Sequence, residues 1–149
     1  MMQGPKPHAG SQAGMMLLEA LIAILIFSLG ILAIIGMQAQ AMRNSSEAKY
    51  RADATFLANQ LIGSIWADRA NMAQYAHRPA GAACAPTGTD SANANVTGWL
   101  GNVAALLPQA TATKQSITVD AATRQVTVRV CWEAQTGTHN VTVTTQLSN

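Results

Sequence analysis

The sequence predicts an α+β fold in which a long N-terminal helix, half membrane-spanning and half amphipathic, packs on a small antiparallel β-sheet. Three observations carry this. Ala20 to Met42 has no formally charged residue and is apolar on every helical face. Leu57, Leu61, Ile65 and Met72 then recur at helical spacing. From Ile117 onward, apolar and polar residues alternate with the two-residue period of half-buried strands.

The chain divides into four stretches: a polar start over 1–14, an apolar helical half over 15–42, an amphipathic half over 43–76, and a loop plus sheet over 77–149. At about 1.5 Å per residue, Ala20 to Met42 spans roughly 34 Å as a helix, enough for a hydrocarbon core. A helix apolar all round has no place in a soluble domain this small, so it belongs in a membrane or among copies of itself. Gly30 and Gly36 each cost about 1 kcal/mol against Ala in water. They read either as a soft point in the helix or as small residues for close helix packing. Ser28 can bond back to a carbonyl of its own helix.

Three readings of this segment compete. Ala39-Gln40-Ala41 fits the small-x-small rule of a cleavable secretory signal, although the apolar run is longer than such signals use. A plain single-span anchor needs nothing from Gly14 or Glu19. By the positive-inside rule, Arg43, Lys49 and Arg51 favour a cytoplasmic C-terminal side. That conflicts with a cysteine pair, which favours an exported one.

The third reading accounts for more residues. A polar stretch ends in Gly14; Met15, Met16, Leu17, Leu18 and Glu19 follow; then the apolar run begins. This pattern resembles the type III signal of type IV prepilins and of the related type II secretion pseudopilins. MMLLEALIAILIFSLGIL is most similar to minor pilins of the PilV kind. The resemblance covers roughly Gly14 to Ala41, with Met15 standing where most members have Phe. It implies a leader over residues 1–14, removed by a prepilin peptidase that cuts between Gly14 and Met15 and methylates the Met15 amine. It also implies that Glu19 docks the subunit, with lipid, the inner-membrane pilus assembly machinery and other minor and major pilins as partners.

Physics makes the Glu19 role reasonable. An ionisable residue inside a span is functional by default unless paired. After a cut at Gly14, Glu19 lies in the first turns of the new helix, where the dipole favours negative charge and the Met15 amine supplies a cation. The bland alternative is an interfacial residue flanking an ordinary anchor.

The amphipathic half continues the helix to about Arg69, a run from Met15 of roughly 80 Å at about 1.5 Å per residue. Ala58, Ile62 and Trp66 widen its apolar stripe, which reads as core. Asn44-x-x-Glu47 also reads as a capping box, and so as a possible break. His77 to Ala94 reads as a loop holding Cys84. Gly98 to Leu107 reads as a short helix stopped by Pro108, with Trp99, Leu100, Val103, Leu106 and Leu107 on one face. Ile117 and Val119, then Val126, Val128, Val130 and Trp132, then Val141, Val143 and Leu147 mark three antiparallel strands.

Cys84 and Cys131 form no CxxC motif and no zinc-spaced cluster. They read as a disulfide stapling the loop to the sheet if the region is exported, or as two buried thiols. His8, His77 and His139 are isolated, and no nucleophile motif or phosphate loop occurs. A net charge of +2 with scattered Lys and Arg sets nucleic acid aside as a partner. We therefore expect no enzyme, cofactor or metal. The expected function is a minor pilin taking part in pilus assembly. A type II secretion pseudopilin is the close rival, and an anchored or secreted β-rich binding module with an ordinary signal is the rival from another class.

Overall fold

The computed structural model describes residues 12–148. They fall into two compact units that meet in sequence between Asn44 and Ser45. Helix α1, Gln12–Ala67, contributes to both and runs without a break through Gly36 and Asn44. The capping box therefore does not form. Asn44 instead accepts a hydrogen bond from Gln40, one turn earlier, at 3.2 Å. Glu47 accepts one from the Thr136 hydroxyl.

In the first unit α1 is exposed on all sides, with Met15 71%, Phe27 70% and Leu32 71% accessible. This follows from the sequence, since Leu, Ile and Met occupy every face and leave no polar stripe. The Ser28 hydroxyl donates to the Ile24 carbonyl at 2.7 Å.

The second unit is built on the rest of α1. Ala54, Leu57, Ala58, Leu61, Ile62 and Ile65 are buried at spacings of three and four, one helical face. Trp66, which the sequence places in this stripe, is exposed on its border. The α-helix ends at Ala67, and residues 69–75 tighten into a 3-10 helix in which Asn71 leaves helical geometry. The cause is local: Asn71 Nδ2 donates to Asp68 Oδ1 at 2.7 Å, a side-chain bond that competes with helical backbone. Met72, the last residue of the predicted stripe, therefore packs half-buried from outside the α-helix.

The expected loop over His77 to Ala94 holds a small hairpin, β1 (Ala80–Ala82) and β2 (Ala85–Thr87). Its sequence, Ala-Gly-Ala and Ala-Pro-Thr, has one β-branched residue, Thr87, and no aromatic, too little to announce a strand. Gly81 is required there, with φ +91 and a Cβ that would meet the Ala85 carbonyl oxygen at 2.9 Å. Helix α2 covers Ala94–Leu106 and so begins before the expected Gly98. Asn93 caps it, accepting from the Asn95 N–H at 2.8 Å. Val96, Trp99, Leu100 and Val103 are buried, whereas Leu106, assigned to the same face by sequence, is 49% exposed. A 3-10 turn over Ala112–Lys114 leads into the sheet.

The sheet has the order β3 (Ser116–Asp120), β4 (Gln125–Ala134), β5 (Gly137–Gln146), all antiparallel. Val126, Val128, Val130 and Trp132 of β4 turn to the core, and Thr127, Arg129 and Glu133 turn away, as the pleat demands. Val141 and Val143 of β5 pack half-buried against the same core, and Leu147 is buried just past the strand. β1 and β2 form a separate two-stranded sheet.

Candidate functional site

Gly14, Met15 and Glu19 lie in consecutive turns at the start of α1. Residues four apart on a helix are neighbours on one face, so Met15 and Glu19 share a side of the helix about 5–6 Å apart at their Cβ atoms. Between Gly14 and Met42, Glu19 is the single charged residue. The surface around it consists of exposed Met15, Met16, Leu18 and Ile22. Gly30 and Gly36 sit further along in regular helix, each with open space where a Cβ would be. The helix is thus straightforward to extend into a surrounding apolar phase or onto other helices. His8 and most of the predicted leader lie outside the described residues.

The two cysteines form a disulfide, Cys84–Cys131, with the Cα atoms 5.5 Å apart. Cys84 occupies the turn between β1 and β2 at φ +60, and Cys131 lies fully buried in β4. The bond therefore fixes the hairpin to the sheet, as the sequence suggested. Buried beside it is Gln115, which the sequence does not single out. Its Oε1 accepts from the Cys131 N–H at 2.7 Å, and its Nε2 donates to the Cys131 carbonyl at 3.0 Å. The amide does for Cys131 what another residue of β3 would do. Further on, the Glu133 N–H donates to the Pro108 carbonyl at 3.0 Å. The Lys114 ammonium pairs with the Glu133 carboxylate.

His77 is buried and structural. The Ser91 N–H donates to its Nδ1 at 3.1 Å, and its Nε2 lies 3.0 Å from the Ala112 carbonyl. That network assigns the proton to Nε2. Its backbone exchanges two hydrogen bonds with Ile117, making it a one-residue extension of the sheet beyond β3. His139 stacks on Trp132, with centroids 5.7 Å apart, and contacts the Thr136 hydroxyl at 2.7 Å. Among the described residues no group of three His, Cys, Asp or Glu is arranged to hold a metal ion.

The loop after His77 carries one electrostatic feature. Arg78 Nε donates to Asp90 Oδ1 at 2.6 Å, and this hydrogen bond holds the Asp90 carboxyl below the usual carboxylate range. A lowered folded value contributes stability above the unfolded pKa that is lost as pH falls through the folded one. Both groups are near the surface, so the effect is local. In an NMR titration the Arg78 Nε–H signal is expected to move with the Asp90 carboxyl, at a midpoint below the usual carboxylate range. A midpoint above that range, or an unchanged titration in Asp90→Asn, would contradict the pairing.

Two shallow clefts lie on the described surface of the second unit. One lies between α1 and α2 and is lined by Gln60, Ser64, Asn95 and Asn102. The other lies beside Met72, Arg69 and Leu147. Neither presents a nucleophile with a base. Comparison with protein-family models, curated proteins and solved structures finds no match.

Proposed function

We propose that this chain is a prepilin-like subunit, a minor pilin of a type IV pilus that takes part in pilus assembly. In this reading a prepilin peptidase cuts after Gly14 and methylates Met15. The helix then holds the subunit in the inner membrane, with the second unit in the periplasm, until it enters a filament. The observation that carries the proposal is the one uninterrupted helix. It begins before Gly14, presents an exposed apolar surface with Glu19 as its single charge, and ends as the core helix of an α+β unit.

Two further observations support it. Length and composition make α1 the one candidate membrane span among the described residues. The Cys84–Cys131 disulfide favours an oxidising compartment for the second unit, against the orientation suggested by Arg43, Lys49 and Arg51. In the apolar phase, Glu19 needs a cation. The Met15 amine keeps its positive charge when methylated, and a neighbouring subunit can offer its own. Assembly partners are other pilins and the inner-membrane machinery, and lipid covers the helix beforehand.

The test is the mass of the mature N-terminus. A methylated Met15 is expected; a start at Met42 would instead indicate an ordinary signal and a secreted binding module. Glu19→Val is expected to leave insertion and cleavage intact while reducing filament incorporation about tenfold or more, the scale of one lost charge contact in an apolar setting. Normal entry of labelled Glu19→Val subunits would remove the docking role. A type II secretion pseudopilin shares this chemistry, and pulldown of pilus or of secretion components with the processed chain separates the two.

A further inference from the structure

The two edges of the three-stranded sheet differ. On the β3 side, Ile117 is bonded by His77, and the Thr118 hydroxyl donates to the Pro79 carbonyl at 3.3 Å. On the β5 side there is no neighbouring strand among the described residues. The Gln115 amide identifies the backbone groups that face this open side. Because it takes both backbone groups of Cys131, Cys131 faces β3, and Val130 and Trp132 face β5. Their partners Val141 and His139 therefore face β4. The intervening residues Thr138, Asn140, Thr142 and Thr144 turn their N–H and C=O groups outward. Among the described residues, none of those groups has a hydrogen-bond partner.

Monomeric proteins blunt such an edge with charge, proline, a bulge or a covering element. β5 has no Lys, Arg, Asp, Glu or Pro, and its register with β4 is unbroken over all 10 residues. Val141 to Thr145 is a continuous β-branched run, the composition that favours extended pairing.

We propose that this edge pairs with β5 of a second copy of the chain, antiparallel and centred on Thr142, so that two three-stranded sheets become one. The occupant follows from the strand's own pattern, since short, uncharged, β-branched segments pair with copies of themselves. Centring on Thr142 sets Thr142 against Thr142 and Asn140 against Thr144 on the outer face. On the inner face it sets Val141 against Val143. Every outward backbone group then meets another outward group, and no charged residue of β5 opposes a like one; the Arg129 guanidinium of β4, which donates to Thr142 Oγ1 at 3.2 Å, flanks the axis on each side. Such a contact is two-fold and closes on itself. It does not rest on the pilin-like reading.

The test uses the full chain in whole cells, wherever it resides. At the centre of the register the two Thr142 Cα atoms are about 5.5 Å apart, within disulfide range. Under mild oxidation Thr142→Cys is expected to give a dimer of twice the chain mass on a non-reducing gel. Asn140→Cys alone should give none, and co-expressed Asn140→Cys and Thr144→Cys chains should cross-link to each other. Adding Thr142→Pro, which removes an outward N–H while remaining compatible with an edge strand, should cut that yield about tenfold. Absence of the Thr142→Cys dimer overturns the proposal, as does a Thr142→Cys adduct with a different polypeptide or equal cross-linking by Thr118→Cys on the far edge. The N-terminal mass of the same sample reports processing separately.

Discussion

Cys84→Ala/Cys131→Ala is expected to destabilise the second unit by about 4 kcal/mol. The closed loop has a sequence separation of 47, and in the chain-entropy model a cross-link of that span removes this much freedom from the unfolded chain. The wild-type chain, unfolded in denaturant with and without reductant, isolates the cross-link from the packing change, because only the variant also loses the buried Cys131 sulfur. Reduction and substitution should lower the unfolding midpoint in parallel, with the substitution slightly larger. An unchanged midpoint on reduction would mean that the hairpin is held by Gln115 and the His77 contacts without help from the bond. The first unit should be insensitive to both changes, since neither cysteine belongs to it.

Trp99→Ala is expected to cost about 3–5 kcal/mol, the range for removing a large aromatic side chain from a core. Trp99 lies 4% exposed on α2, and its Nε1–H donates to the Leu57 carbonyl of α1 at 2.8 Å. It therefore joins the two helices by both packing and a directional bond. Trp99→Phe keeps most of the ring volume and loses the donor, and is expected to cost about 1–2 kcal/mol. Equal losses for the two variants would show that the hydrogen bond dominates. A negligible loss for Trp99→Ala would show that α2 is not part of the folding core.

The long helix and the three-stranded sheet were legible because each repeats one physical signal. Leu57, Leu61 and Ile65 return to one face every turn, and Val126, Val128 and Val130 alternate across the pleat. The β1–β2 hairpin was not legible, because its turn is Ala83-Cys84 rather than an Asn-Gly type, and its left-handed residue is a cysteine whose partner lies far along the chain. Spacing alone points Trp66 and Leu106 inward, yet both are exposed. Each lies at the rim of its stripe, where the last neighbour decides burial and sequence cannot name that neighbour. The start of α2 had a readable cap in Asn93, overshadowed by the run of Ala and Asn around it. Of the candidate site, the cysteine pair, Gly14 and Glu19 were visible as residue types in context. Gln115 was invisible, because a glutamine before a strand looks like any surface residue until its amide meets a backbone.

That glutamine separates the width of the sheet from the path of the chain. β3 accompanies β4 only as far as the Ser116–Arg129 rung; beyond it, a side-chain amide and then the Pro108 carbonyl complete the ladder. The main chain is thereby released from running alongside β4. It can join β4 late, after Leu107 and Ala110 have been placed in the core. One side chain standing in for a peptide unit lets a five-residue strand flank a ten-residue neighbour without leaving that neighbour's middle unsatisfied.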